Sequence, residues 1–516
     1  MPKLPDPTLF PQSPGGELSG TIIPGAKRAE GGIFETIKKE PDKTRLSNKP
    51  GGDDAVSEDS EPSVSKKYRQ GSPSPISDIK PSPFRFLGPI LIALFLALLG
   101  FVVTRFVILP RLRPPIITLT YWGLWEPDTV AKPAIDKYES THPNIKINYQ
   151  MQSKQEYRER LQSALARGEG PDIMRLHNSW MPMLAGELAP VSAEILSFDE
   201  FSRTFYPTAV SDLVRQNAPV AVPLMADGLG LFVNNDLMAA TTSAVPTNWD
   251  DFRKVAFALT VRDERGAIVR SGAAMGTTNN ITHWPDILAI LMLQNSVDLK
   301  KPDAAIDAQG RNLGADALRY FTIFTKEDRI WDESMPQDVT AFATGKVAMI
   351  LAPSWQVHEI LAQNSKLDFS IHEIPQLTSQ RKINWAGYWV DGISRQSKHQ
   401  KESWEFLKYL SSPEALQLMY TEAAKIRAFG EPYPRRDMAD TLKTAKYVAP
   451  FITQAESAKS WYMNSRTFDN GINDEIISYY NDAINSIHQK KAEPEQVIAT
   501  VAKGVEQVLT KYGINK

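Results

Sequence analysis

The run Leu87–Thr104, "LGPILIALFLALLGFVVT", carries no charged residue and sets the first limit on what this chain can become. As a helix it would be roughly 27 Å long, close to the hydrocarbon thickness of a bilayer. Pro89 falls in the first turn, where its missing N–H costs little. Arg105 is placed to snorkel toward the interface, which lets Phe106–Leu109 extend the segment. A cleaved signal peptide is the rival reading, but it would start near the N-terminus and end at a small-residue cleavage site. Here a long polar stretch comes first, and "RFVILPRLRPP" follows without such a site. The expectation is one uncleaved transmembrane helix over 86–109, then a linker over 110–115. Lys66, Lys67, Arg69, Lys80 and Arg85 before the run, against Arg105, Arg111 and Arg113 after it, bias the preceding tail to the cytoplasmic side.

Residues 1–85 are rich in Pro, Ser, Gly and charge, as in "KPGGDDAVSEDSEPSVSKKYRQGSPSPISDIKPSP". Such a stretch buries too little apolar surface to offset the entropy of ordering, so a disordered tail is expected. "GGIFETIKK" within it reads either as a short recognition helix or as a chance cluster in coil.

Residues 116–516 alternate helical and strand patterns. "ITLTYW" reads as a strand, and "DTVAKPAIDKYESTHP" places Val130, Ala131, Ala134, Ile135 and Tyr138 at helical spacing. "NIKINYQM" alternates with period two. "SKQEYRERLQSALARGEG" reads as a helix opened by a Ser153–Glu156 capping box, and "PDIMRLH" returns as a strand. Further on, "PTNWDDFRKVAFAL" is a helix with Thr247 as cap, "AFATGKVAMILAPSW" passes through Gly345 into a strand, and Ser412–Pro413 opens a helix. This β-α-β-α-β order predicts an α/β domain with a largely parallel sheet covered by helices. No repeat of 20–50 residues is evident.

Several function classes drop out. The formal charge is −2, which gives no basic surface for nucleic acid. Cysteine is absent, which removes thiol catalysis, disulfides and cysteine-ligated metal. "HEIL" at His358 and "HEIP" at His372 lack the second histidine of a zinc protease helix. No P-loop, G-x-S-x-G or dinucleotide fingerprint is present. No cofactor, metal or catalytic group is therefore expected, although the many carboxylates leave open an anchored glycan-processing enzyme.

The ends of the strands carry the functional signal. Trp122, Trp125 and Glu126 follow the first strand, and His177, Asn178 and Trp180 follow "PDIMRL". Pro353, Ser354 and Trp355 follow "KVAMILA", and "INWAGYWVDG" adds Trp385, Tyr388, Trp389 and Asp391. Each tryptophan has a structural alternative as a cap on the hydrophobic core, and Asn178 and Asp391 also suit turns. In open α/β sheets, however, ligands sit beyond the carboxyl ends of strands. Aromatic faces beside polar edges there suit a sugar, which has an apolar ring face and a hydroxyl rim.

Seven stretches in order carry a resemblance to a known family: "YESTHPNIKINYQ", "GEGPDIMRL", "VPLMADGLGLFVNNDL", "PTNWDDFRKVA", "FATGKVAMILAPSW", "ESWEFLKYLSSPEAL" and "FGEPYPRR". Over nearly all of 116–516 the chain resembles the extracellular solute-binding proteins of ABC importers, of the family 1, sugar-binding type. The resemblance implies a two-lobed, periplasmic-binding-protein-like fold with an interlobe cleft. It places one lobe at 116–225 and 388–428, and the other at 226–387 and 429–516. It also implies that Trp122, Glu126, Asn178, Asp227 and Trp355 stand where family members often contact solute. The implied partners are a small-molecule solute, a sugar or oligosaccharide, and ABC permease subunits, with the membrane reached through the one helix. Two departures stand out. Val233, Asn234 and Asn235 replace the usual "YNK", and a long tail and uncleaved helix replace the usual secretion signal and lipid anchor. An orphan sensor without a transport role is the alternative end use.

Overall fold

The computed structural model describes residues 87–108, 115–489 and 491–514. The expected disordered tail and most of the expected linker lie outside the described residues. The chain divides into two compact units, Met1–Pro110 and Arg111–Lys516. In the first, α1 (Leu87–Val103) continues as a short wider turn to Ile108. Its side chains through Phe106 are exposed, and apolar apart from Thr104 and Arg105. Leu87–Phe106 is one helix long and apolar enough to cross a membrane.

The second unit begins with β1 (Ile117–Gly123), α2 (Asp128–Thr141), β2 (Ile145–Met151), α3 (Tyr157–Ala166) and β3 (Ile173–His177). It continues through α4 (Pro207–Leu213), β4 (Ala221–Pro223), β5 (Gly230–Asn234), α5 (Trp249–Leu259), β6 (Val261–Arg262) and β7 (Ile268–Ala273). Then come α6 (Trp284–Gln294), α7 (Leu313–Lys326), α8 (Asp338–Ala343), β8 (Val347–Ala352), β9 (Phe369–His372), β10 (Asn384–Trp385) and β11 (Trp389–Ile393). The chain closes with α9 (Gln400–Leu410), α10 (Pro413–Ala423), β12 (Ala458–Lys459), α11 (Ile472–Gln489) and α12 (Pro494–Lys511).

Two five-stranded sheets form, in the orders β2-β1-β3-β11-β4 and β9-β5-β8-β7-β6. Strands β1, β2 and β3 are parallel, as the βαβ order predicts. The rest departs from a largely parallel sheet: β11 runs antiparallel to both β3 and β4. In the second sheet only β8–β7 is parallel, and β5 runs against both β8 and β9. The reason is the route of the chain. It leaves the first sheet after β4, builds the second, and returns into the first from the same edge as β11, which reverses its direction.

Local rules account for the elements. In α2, Val130, Ala131, Ala134, Ile135 and Tyr138 are buried, the stripe that the 3.6-residue period requires. Tyr121 and Tyr138 meet Phe406 of α9 edge-on over the first sheet. Phe232 of β5 packs with Phe342 and Phe369 in the second. Ser412 caps α10 as expected, its hydroxyl accepting from the Ala415 N–H at 3.3 Å. Gly345 takes a φ of +70° between α8 and β8, a conformation glycine adopts without penalty. Two expected caps are not formed. Asn248, not Thr247, caps α5, accepting from Asp251 N–H at 2.9 Å. The Ser153–Glu156 box is also absent, because Glu156 sits at φ 51° and α3 starts at Tyr157. The Ser153 hydroxyl accepts from Gln155 N–H instead.

Candidate functional site

The parallel run of β1, β2 and β3 brings their carboxyl ends to one edge of the first sheet. Antiparallel β11 starts at that edge, with Trp389 paired to His177. This register gathers the aromatic groups. The Trp389 ring stands edge-on to Trp125 (4.8 Å between centroids), His177 (5.1 Å) and Trp180 (5.3 Å). Trp122, Trp125 and Trp389 are half-buried. Trp180, at 1 % exposed, also packs on Tyr157, so it backs the group from within the core.

Several polar residues of the expected site are engaged within the protein. Both carboxylate oxygens of Glu126 accept from Arg175 Nη1, at 2.9 and 3.0 Å. The same guanidinium donates to Asp391 through Nε (2.9 Å) and Nη2 (3.1 Å). Burial pulls the Arg175 pKa down, but Asp391 and Glu126 outweigh it and hold it above the ordinary arginine value. Asn178 donates through Nδ2 to Asp212 (2.9 Å) and accepts from the Tyr388 N–H (3.1 Å). The buried Tyr388 hydroxyl donates to the same Asp212 oxygen at 2.8 Å, and Ser460 Oγ to the other at 2.6 Å. Burial raises the Asp212 pKa against these donors. Burial also lowers the His177 pKa to about 3, so the ring is neutral at physiological pH.

Asp227 lies where β4 leads into β5 and is tied to the end of β8. It accepts from Ser354 N–H (3.0 Å) and Ser354 Oγ (2.9 Å). Loss of water around its carboxyl pushes it up to about 7, against those bonds. Half-buried Trp355 follows, edge-on to His283 at 5.6 Å. The segments joining the two sheets run side by side here. Gly387 N–H donates to the Asp227 carbonyl at 3.2 Å and Ala226 N–H to that of Pro432 at 2.9 Å. Gly228 is required at this crossing, because a Cβ there would run into the Trp385 carbonyl. A void of about 440 Å³, open to solvent, lies beside the crossing and is lined in part by Met225, Asp227, Trp385 and Tyr388.

The strand-end residues thus divide between the edges of the two sheets, with Asp227, Tyr388 and the crossing segments between them. Four participants were not legible beforehand: Arg175, Asp212, His283 and Asp286. Arg175 did leave a signal, a charge inside the otherwise apolar strand "IMRLH". Asp286 of α6 accepts from Trp385 Nε1 (2.8 Å) and from the Ser465 N–H (3.1 Å), and its charge reaches His177. The stretch 460–473 therefore bridges: Ser460 is bonded to Asp212, Ser465 to α6, and Asn473 to Ser179 at 2.8 Å.

Two α/β lobes joined by adjacent crossing segments, with aromatic and polar side chains at the facing sheet edges, define a binding protein of the two-lobed cleft type. The chain belongs to the family described as bacterial extracellular solute-binding protein, whose family model matches residues 125–417. It is 23% identical over 313 residues to the multiple sugar-binding protein of Streptococcus mutans, covering 59% of this chain and 73% of that one. In fold it is similar to a cyclo/maltodextrin-binding protein complexed with maltotetraose, with TM-score 0.61 and 16% identity over 77% of this chain and 98% of that one. It is also similar to an ABC substrate-binding protein of Listeria monocytogenes in complex with cycloalternan, with TM-score 0.59 and 17% identity over 76% and 99% of the two chains.

Proposed function

We propose that this domain captures a carbohydrate-like solute between its lobes and delivers it, chemically unchanged, to an ABC importer. The observation that carries the reading is the Trp389-centred aromatic group at one sheet edge, with Trp355 and Asp227 at the edge of the other. Half-buried indole faces beside neutral and acidic polar groups suit the apolar face and hydroxyl rim of a sugar ring. The sugar-binding names of the relatives support the same class. In this reading, Trp122, Trp125, Trp355 and Trp389 offer ring contacts and Asp227 accepts from solute hydroxyls. Glu126, His177, Asn178, Trp180 and Tyr388 shape the site from behind. The lobes span 116–225 with 388–428, and 226–387 with 429–516. Residues 86–109 hold the domain outside the cytoplasmic membrane, with the preceding tail inside. The test is melting of the full chain in detergent with maltotetraose, mannotriose or tagatose. A true solute at 100 times its Kd stabilises by about 2.7 kcal/mol. Recovery of a cleaved sugar would overturn the non-enzymatic part of the reading.

A further inference from the structure

The crossing segments hold one side of the first sheet, because they leave from β4 and enter β11. In the order β2-β1-β3-β11-β4, β2 is the opposite margin, roughly 19 Å from β4 at about 4.8 Å per strand. A second set of contacts lies toward that far margin and is made by side chains rather than by crossing chain. Residues 466–474, which lead into α11, reach the loop after β2, the first turn of α3 and the turn after β3. Asn470 Nδ2 donates to Glu159 Oε1 of α3 at 2.8 Å. Lys154 Nζ lies over the Phe468 ring, 5.5 Å from its centroid. Asn473 Nδ2 donates to Ser179 Oγ at 2.8 Å. Gly471 passes so close to Met183 that a Cβ there would lie 2.6 Å from its sulfur.

The segment itself is anchored to the second lobe. Ser465 N–H is bonded to Asp286 of α6, and Glu475 accepts from Lys511 Nζ (2.7 Å) and the Tyr512 hydroxyl (2.6 Å) at the end of α12. Between these anchors the backbone is tightly wound. Arg466, Phe468 and Asn470 take φ of 61°, 55° and 42°, a region that asparagine tolerates and arginine and phenylalanine seldom enter. The fully buried Asp469 carboxylate accepts from Gly471 N–H (3.1 Å) and Asn473 N–H (3.3 Å), which fixes the turn. Strain of this kind persists only where its surroundings over-determine it. Part of those surroundings is the other lobe.

We propose that residues 466–474 are a latch, which binds the second lobe to the far margin of the first and parts each time solute enters or leaves. This rests on the reading that solute is captured between the lobes. The crossing segments are continuous chain and cannot part. The ends of β1 and β11, with Trp122, Trp125 and Trp389, lie between the two margins, so a solute there is enclosed once the far side is bonded. The latch residues therefore set how long solute stays, whereas the tryptophans between the margins recognise it.

The chain has no cysteine, so a Glu159→Cys, Asn470→Cys pair gives a unique cross-link. The full chain in detergent is treated with a short, reducible bis-methanethiosulfonate, with and without whichever of maltotetraose, mannotriose and tagatose binds wild type. Sugar should speed bridging at least tenfold, the bridged protein should release sugar at least tenfold more slowly, and reduction should restore release. Separately, Asn470→Gly suits the backbone and removes a hydrogen bond to a charged group, so it should speed release about tenfold. Its unliganded Tm should change little, because the latch is then open. Bridging that is equally fast with and without sugar, or that leaves release unchanged, overturns the latch while the cleft reading stands. So does an Asn470→Gly variant that releases sugar at the wild-type rate. If none of the three sugars binds wild type, the cleft reading fails and the latch falls with it.

Discussion

Replacing Arg175 by Met isolates the buried charge network at the edge of the first sheet. The guanidinium donates four bonds of 2.9–3.1 Å to two carboxylates, and Asp391 is fully buried while the Glu126 side chain is only 12 % exposed. Methionine fills most of the volume but strands Asp391 without a counter-charge. Breaking a buried pair by removing one partner costs about 3–5 kcal/mol, far more than the pair itself contributes. With an unfolding entropy of roughly 2 cal/mol/K per residue over about 400 residues, that is a drop of about 4–6 °C in Tm. Arg175→Met combined with Asp391→Leu should regain most of the loss, because a similar volume of apolar side chain replaces the pair. The pH dependence gives a second signature. Burial already raises the Asp391 pKa with Arg175 present. Without the arginine the folded state takes up a proton that the unfolded state, with a carboxylate near 3.9, does not. The gap between variant and wild type should therefore narrow as pH falls from 7 to 5. Calorimetry on the full chain across pH 5–8 measures both effects. Equal melting of Arg175→Met and wild type at every pH would refute the reasoning.

Three further outcomes are expected. Asp227, pushed up to about 7, costs stability as pH rises from about 4 to 7, and the cost persists above that range; Asp227→Asn should flatten the slope by on the order of 2–4 kcal/mol in urea melts at pH 5 and 8. Gly228→Ala must push the crossing segments apart, costing about 1–3 kcal/mol, and small-angle scattering should show a changed radius of gyration if the crossing sets the lobe angle. Trp125→Ala should lose about 1.4 kcal/mol of sugar affinity with little change in unliganded Tm, whereas Trp180→Ala should cost about 3–5 kcal/mol of stability; similar melting of the two variants would place Trp125 in the core.

What the sequence revealed and what it hid divide by distance along the chain. The buried stripe of α2 and the Ser412 cap are decided within a few residues, and both were legible. The Thr247 cap failed over a single position, because Asn248 offers an equally good acceptor one residue closer to the helix. The strand directions failed because β11 enters the first sheet from the second lobe, a route that no local pattern encodes. The candidate site divides in the same way. Tryptophans at strand ends can be read one strand at a time. That Arg175 bonds a residue 216 positions later, or that Asp212 reaches Ser460 across 248, cannot. Asn178 and Tyr388 look like free ligand contacts until Asp212 is seen to occupy both.

The placement of β11 also governs the order in which the domain can be completed. It lies between β3 and β4, so those two strands have no partner on their facing edges until residues 389–393 have been made. By then every strand of the second sheet has been synthesised. The sheet that is first in sequence is therefore the last to close, and an interrupted chain ending before Trp389 exposes two bare strand edges that invite self-association. Long-range closure of this kind is slow. The growing chain thus carries its greatest aggregation hazard late, just before one five-residue strand removes it.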